Sequence, residues 1–411
     1  MAVIKAFPGI RPRRALAEKI AALPYDVYSR QEAKAEVEKQ PLSFLRIDRA
    51  ETQFPDDMDM YSTMVYQKAR ETLEEMIADG SFIQDETPSF YLYDLTMDGR
   101  TQTGLVGCAS IDDYLNDIIK KHEKTRDDKE LDRIRHVDVC NAQTGPIFLA
   151  YRRRENLTRL FQKIKQKKSV YDFTCEDGIR HQVWVIADRD QIEEITETFV
   201  AIDRIYIADG HHRTASAVKV GLKRRKENPG YTGKEAFNYF LSVFFAEDEL
   251  RIWPYNRVVK DLYGHTPEAF LGLLQERFIV SDGEAVYVKP KSKKEVSMYL
   301  DGLWYRVKAK EGVISDDPVA GLAVSILQDN ILAPLLGIVD IKTDTRIHFV
   351  GGIRGVLPLI DAIDKNGGAA FAMYPTTIEE LFEVSDANLL MPPKSTWFEP
   401  KLRSGLFIHR I

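Results

Sequence analysis

Of the six Asp-Gly pairs in this 411-residue chain, three, Asp98-Gly99, Asp177-Gly178 and Asp301-Gly302, each sit within a segment that reads as a hairpin. Asp-Gly is tight-turn sequence because both residues tolerate the positive φ that two-residue hairpins require. Phe90 to Met97 and Thr103 to Ile111 flank the first pair, while Tyr171 to Cys175 and His181 to Ala187 alternate around the second. Elsewhere the apolar period is helical. Ser29-Arg-Gln-Glu32 forms a capping box for a helix that must end before Pro41. Tyr61 to Asp79 sets Met64, Ala69, Leu73 and Met76 on one face and stops at Gly80, and Asn156 to Lys168 and Gln191 to Phe199 are further helices. Tyr239 to Ala246 and Leu250 to Val259 read as strands that close this core. Beyond it, Thr266-Pro267-Glu268 starts a helix, and Val319 to Val339 reads as a buried helix pair broken before Pro334. Hairpins interleaved with helices predict an α+β fold, a mixed-sheet α/β arrangement, with residues 1–260 as the core and 261–411 as a C-terminal α+β region.

The net charge of −6 excludes the basic face that nucleic-acid binding requires, but leaves room for a small anion held by a few local cations. Cys108, Cys140 and Cys175 form no paired framework and no zinc-type spacing, which fits a reducing, cytoplasmic setting. Met1 to Pro12 carries charge and proline where a signal peptide has an apolar core, and no run approaches a membrane span.

Chemistry concentrates at Ile205-Tyr-Ile-Ala-Asp-Gly-His-His-Arg-Thr-Ala-Ser-Ala217, where an apolar strand stops at Asp209-Gly210 and a small-residue helix follows, extending over Thr214 to Lys226. Such a strand-to-helix turn is an anion site, since glycine lets the backbone approach a phosphate and the first helical turn offers unpaired N–H groups. Arg213 adds a donor fork, Asp209 suits Mg²⁺ or a hydroxyl, and His211 and His212 suit charge developing on a phosphoryl group. The plainer reading makes Asp209 a helix cap and the histidines polar helix-start residues. Zinc fits poorly, because adjacent histidines point in different directions and no other ligands complete a tetrahedron.

His122-Glu-Lys-Thr-Arg-Asp-Asp-Lys-Glu-Leu-Asp-Arg133 is either a solvated helix face or the complement of that motif. Phosphoryl transfer to an alcohol needs a carboxylate for the hydroxyl and cations for the phosphates, and this segment has both. A third segment, Met391 to Gly405, combines prolines, Trp397, Phe398 and cations. It either anchors the tail or closes Lys394, Ser395 and Thr396 over a ligand, with Lys401 and Arg403 nearby.

At these places the chain resembles the SerK-like free serine kinases, formerly a domain of unknown function, of the ParB/sulfiredoxin-like superfamily. The resemblance runs from Phe7-Pro-Gly-Ile-Arg-Pro12 and Leu23-Pro-Tyr-Asp-Val27 through His122-Glu-Lys-Thr125 and Asp209-Gly-His-His-Arg213 to Pro393-Lys-Ser-Thr-Trp-Phe-Glu-Pro-Lys401. It implies a ParB/sulfiredoxin-like core with N- and C-terminal elaborations, and phosphorylation of free L-serine by ATP or ADP with Mg²⁺. On that reading Glu123 is the base, with Asp209, His211 and His212 as the other catalytic residues and Asp209 as metal ligand. Gly210, Arg213, Thr214, Lys124, Thr125, Lys129 and Arg133 are expected on the nucleotide, and His122, Lys394, Ser395 and Thr396 on the substrate. Arg11, Asp26 and Arg46 are candidates for the serine carboxylate and ammonium. Asn256 stands where many relatives have histidine.

Sulfiredoxin chemistry is disfavoured because His211 occupies the place of the nucleophilic cysteine. A ParB-like DNA clamp is disfavoured by the acidic charge and the lack of a helix-turn-helix. A non-catalytic sensor of nucleotide or serine, or a kinase of another small alcohol, is the competing expectation. The partners expected are small molecules only, with no nucleic acid and no membrane, and a homodimer is left open.

Overall fold

In the computed structural model every residue from 1 to 411 is described except Arg126 and the side chains of Asp128 and Lys129. The fold is mixed α/β and divides into two compact units, Met1–Leu250 with Pro400–Ile411, and Arg251–Glu399. The break falls at Leu250, not near residue 260, and the chain end returns to the first unit. The return is held by backbone pairing: His409–Arg410 lies antiparallel to Ala142–Gln143, and Ile408 exchanges hydrogen bonds with Ile10.

The first unit is built on a mixed nine-stranded sheet. Its order is Ile119–Lys120, Ile205–Asp209, Ile147–Tyr151, Tyr239–Ala246, Arg100–Ser110, Phe90–Met97, Arg180–Ile186 and Tyr171–Thr174, with Ile4–Lys5 added beside Arg100–Ser110. Asp98 and Gly99 have φ of 52° and 76°, the pair of left-handed residues that a two-residue hairpin requires. The Asp177-Gly178 turn differs. Only Gly178 has positive φ there, and the loop is closed by bonds between Cys175 and both Gly178 and Ile179. The helix Glu155–Lys165 buries Leu157, Leu160, Phe161 and Ile164, the spacing of one helical face, against the sheet beside Ile195 and Phe199 of Arg189–Val200. Each such side chain contributes about 1.5–3 kcal/mol through burial.

A second core gathers Phe44, Leu45, Ile47, Val65, Ala69, Leu73 and Met76, from the N-terminal helices, around Cys140 and Ile408. The helix Asp127–Cys140 packs between Thr63–Ala78 and His211–Glu227. Its charged face is therefore buried in large part: Glu130, Asp132 and Arg133 are all less than 9% exposed.

In the second unit the strands run antiparallel in the order Phe278–Val280, Leu303–Ala309, Glu295–Leu300, Ala369–Ala372, Tyr255–Val259 and Ile347–Gly351. The strand expected over Leu250 to Val259 is split at Pro254 and belongs here, where Tyr255–Val259 pairs with Ile347–Gly351 and Ala369–Ala372. It does not close the first sheet. Asn256 is buried and its side-chain oxygen accepts from the Met373 N–H at 3.0 Å, so a carbonyl oxygen at this position serves the sheet. The expected helix pair is one helical run, Ala323–Leu327 to Ala333–Leu336, interrupted by a π-turn at Gln328–Leu332. Among the described residues no helix is long and apolar enough to cross a membrane.

Candidate active site

The strand Ile205–Asp209 lies between Ile119–Lys120, to which it is parallel, and Ile147–Tyr151, to which it is antiparallel. Ile207 faces Leu149 but Asp209 faces Phe148, so one extra residue, Ala208, is bulged out before the strand ends. A bulge bends the strand and re-aims the side chain that follows it, here Asp209. Gly210 then turns the chain at φ 98° and ψ 31°. The helix begins at once, at His211, three residues before the expected Thr214, and runs to Glu227.

No side chain caps this helix and its first turn holds no acidic residue. Its N-terminus therefore keeps the positive end of the helix dipole for an outside anion. A Cβ on Gly210 would meet Arg213 Nε at 3.2 Å, because the guanidinium folds back over the turn while Nη1 donates to the Pro146 carbonyl at 2.7 Å.

Asp209 is partly buried and its Oδ2 accepts from Lys401 Nζ at 2.9 Å. Burial works to raise its carboxyl, but Lys401 and Arg213 outweigh it and hold the group below the usual carboxylate range. Asp209 is thus ionised, with the charge suited to a hard divalent cation.

Beside it, the rings of His122 and His211 meet edge to face with centroids 4.5 Å apart. Both are buried, and burial drives both towards the neutral form. His122 is pushed down to about 4, with Asp209 and the Ile207 carbonyl opposing, and His211 falls well below the ordinary value, helped by repulsion from His122. The His122 backbone N–H points at His211 Nε2 at 3.5 Å. An accepting Nε2 on a neutral ring places the proton on Nδ1, the nitrogen 3.9 Å from Glu123 Oε2. His122, Glu123 and His211 also offer three ligand atoms within 4.8 Å of one another. A metal on His211 Nδ1 would need the opposite tautomer, with a donor facing the His122 N–H.

The remaining expected residues divide by location. Thr214 is buried and its hydroxyl donates to the Gly210 carbonyl at 3.0 Å, inside the helix. His212 is half-buried and its carbonyl accepts from Ser216 Oγ at 2.7 Å. Thr125 donates to Glu130 at 3.0 Å, and Lys124 is exposed. Lys129 lies outside the described side chains. Arg133 is buried, pairs with Asp132 at 2.7 Å and lies over the Tyr25 ring at 4.0 Å. Lys394, Ser395 and Thr396 belong to the second unit, where Ser395 Oγ donates to the Pro392 carbonyl at 2.6 Å and Arg257 donates to the Lys394 carbonyl. Of the candidates for the acceptor's charged ends, Arg11 is committed to Asp85 at 2.7–3.0 Å, and Arg46 to the Pro41 carbonyl and Gln53; Asp26 lines a cavity together with Asp48 and Arg133. Sequence reading placed Lys401 only near the ligand; its pairing with Asp209 depends on the chain end returning to the sheet.

The family model described as "Protein of unknown function (DUF1015)" matches residues 4–326. The chain belongs to this family. The match takes in Glu123 and the motif at 209–213 and ends before Lys401. No match was found among curated proteins. Among solved structures, a free serine kinase mutant in complex with AMP is similar at 13% identity and a TM-score of 0.36, covering 71% of this chain and 89% of that one. A free serine kinase mutant in complex with ADP gives 12% and 0.36, covering 75% and 93%. SbnI with C-terminal truncation from Staphylococcus aureus gives 10% and 0.38, covering 72% and 82%.

Proposed function

We propose that this protein is a phosphotransferase that moves the terminal phosphoryl group of ATP or ADP to the hydroxyl of free L-serine, on a ParB/sulfiredoxin-like core. The observation that carries the reading is the meeting of three features around the 209–211 turn: the uncapped helix N-terminus at Gly210, the ionised Asp209 and the carboxylate of Glu123, which approaches His211 from the segment after Ile119–Lys120. The serine acceptor comes from the sequence resemblance at His122–Thr125, Asp209–Arg213 and Pro393–Lys401.

On this reading the N–H groups of the first helical turn and Arg213 hold the phosphates, where dipole and fork both favour anionic oxygen. Mg²⁺ fits Asp209, a single ionised carboxylate of the kind it takes together with phosphate oxygens, and when bound it would neutralise charge on the transferring group. Lys401 keeps Asp209 ionised and fixed. Glu123, partly exposed and 3.9 Å from Nδ1 of the neutral His211 ring, takes the proton from the attacking hydroxyl. Catalysis is then mostly positioning and charge stabilisation.

The test is to incubate purified protein with Mg²⁺ and L-serine, with ATP in one sample and ADP in another, and to look for O-phosphoserine by phosphorus NMR. Product in either sample supports the reaction and names the donor. Nucleotide binding without phosphoserine in either sample overturns the serine assignment.

A further inference from the structure

Beside the helix Asp127–Cys140 the first unit holds a cavity of about 320 Å³ whose walls set charged side chains among tyrosines and apolar residues such as Met60 and Val65. Tyr25, Asp48, Arg133 and His136 line it, and the same four residues line an adjoining recess of about 30 Å³ that Arg213 also borders. One lining thus runs from Asp48 to the phosphate motif.

The charges in this wall do not cancel pairwise. Arg49 pairs with Glu51 at 2.6 Å and Arg133 with Asp132 at 2.7 Å. Asp48, 5% exposed, accepts from the Thr144 hydroxyl at 2.7 Å and lies 4.0 Å from His136 Nε2. That imidazole is no counter-ion. Burial and then Arg133 hold it towards the neutral form, and its Nε2 faces the Ile47 carbonyl at 3.0 Å. Among the described residues Asp48 has no other cation within 4.0 Å, although Arg133 is near enough for their charges to interact. A buried carboxylate without an ion-pair partner is costly unless a ligand supplies the cation. Arg133 meanwhile gives Nε and Nη2 to Asp132 and one face to Tyr25; Nη1 makes no hydrogen bond to a described residue.

We propose that this cavity binds a small α-amino acid as its zwitterion, the ammonium on Asp48 and the carboxylate on Arg133, with the side chain directed along the shared wall towards Arg213. The volume lies at the small end of ligand pockets. The catalytic consequence rests on the phosphotransferase reading; the binding does not. Arg133 then belongs to the acceptor and not to the nucleotide.

Calorimetry on the full chain tests it, using L-serine, L-alanine, propionate and ethylamine as probes. L-Serine and L-alanine should bind, and propionate and ethylamine at least tenfold more weakly. Asp48→Asn keeps the shape and the Thr144 bond, and should weaken L-serine at least 30-fold with nucleotide affinity unchanged. Should that variant unfold, Arg133→Lys is used in its place and carries the same expectation, because a lysine keeps the charge and loses the fork. Absence of amino-acid binding by the parent protein, or unchanged L-serine affinity in a folded variant, overturns the proposal. So does a loss of nucleotide affinity instead, which would give the cavity to the nucleotide. Serine binding without phosphoserine in the NMR assay would leave this inference standing and remove only the phosphotransferase reading.

Discussion

Lys401 Nζ lies 2.9 Å from Asp209 Oδ2, joining two residues 192 positions apart in the chain. The contact exists because Pro400–Ile411 returns to the first sheet, and it keeps the carboxylate at the head of the motif helix ionised against its own burial.

Lys401→Met should therefore raise the Asp209 carboxyl towards its ordinary value. A depressed carboxyl adds stability that is complete above its unfolded value near ~3.9 and lost as pH falls below it. The variant should lose about 1–2 kcal/mol at neutral pH, less than a fully buried pair because both groups keep some exposure. It should also lose less than the parent between about pH 4 and 2. Urea unfolding across that range checks both, and parallel pH–stability curves would remove Lys401 as the cause of the shift.

Glu123→Gln preserves shape and removes the base. If Glu123 accepts the hydroxyl proton, kcat should fall on the order of 10²- to 10⁴-fold while nucleotide affinity stays. Single-turnover kinetics together with nucleotide titration separate the two. Full turnover in this variant would leave Glu123 as no more than a neighbour of His211.

Local chemistry was legible in the sequence where one short segment decides it. The Ser29 capping box, the Thr266 cap and the left-handed Asp98-Gly99 turn all form as the residues dictate, each depending on neighbours within a few positions. The motif strand and helix were legible for the same reason, apart from the early helix start. What was not legible depends on partners distant in sequence. The bulge at Ala208 is set by the register against Ile147–Tyr151, and the fate of Tyr255–Val259 by strands more than 80 residues away. The segment at 122–133 allowed both a solvated face and a complement to the motif, because dense charge alone does not say what packs against it; packing between two helices buries Glu130, Asp132 and Arg133.

Five of the eight histidines, His122, His136, His181, His211 and His409, are buried and have their imidazoles pushed below the ordinary value, by burial first in every case. The unfolded chain therefore binds protons below about pH 6.5 that the folded chain does not. Stability from these groups is present above that pH and falls with acidification, each contributing about 1.4 kcal/mol per pH unit once its unfolded form is protonated. The urea midpoint should drop steeply from about pH 6 towards 4, where His122 and His409 begin to titrate in the folded state. A flat midpoint over that range would contradict the neutral, buried assignment of these rings.

Gly210→Ala separates backbone strain from ligand contact when set beside Gly178→Ala. Both glycines have positive φ, 98° and 78°, so alanine should destabilise each variant by about 1–2 kcal/mol. Around Gly178 nothing lies within 4 Å of the added Cβ, whereas at Gly210 it meets the Arg213 guanidinium at 3.2–3.4 Å, and that group borders the proposed phosphate site. Melting curves should thus shift alike, while nucleotide affinity should fall at least tenfold in Gly210→Ala and stay unchanged in Gly178→Ala. Unaltered nucleotide affinity in Gly210→Ala would mean that the phosphates do not rest on this helix terminus, and Asp209 and Arg213 would then need another ligand.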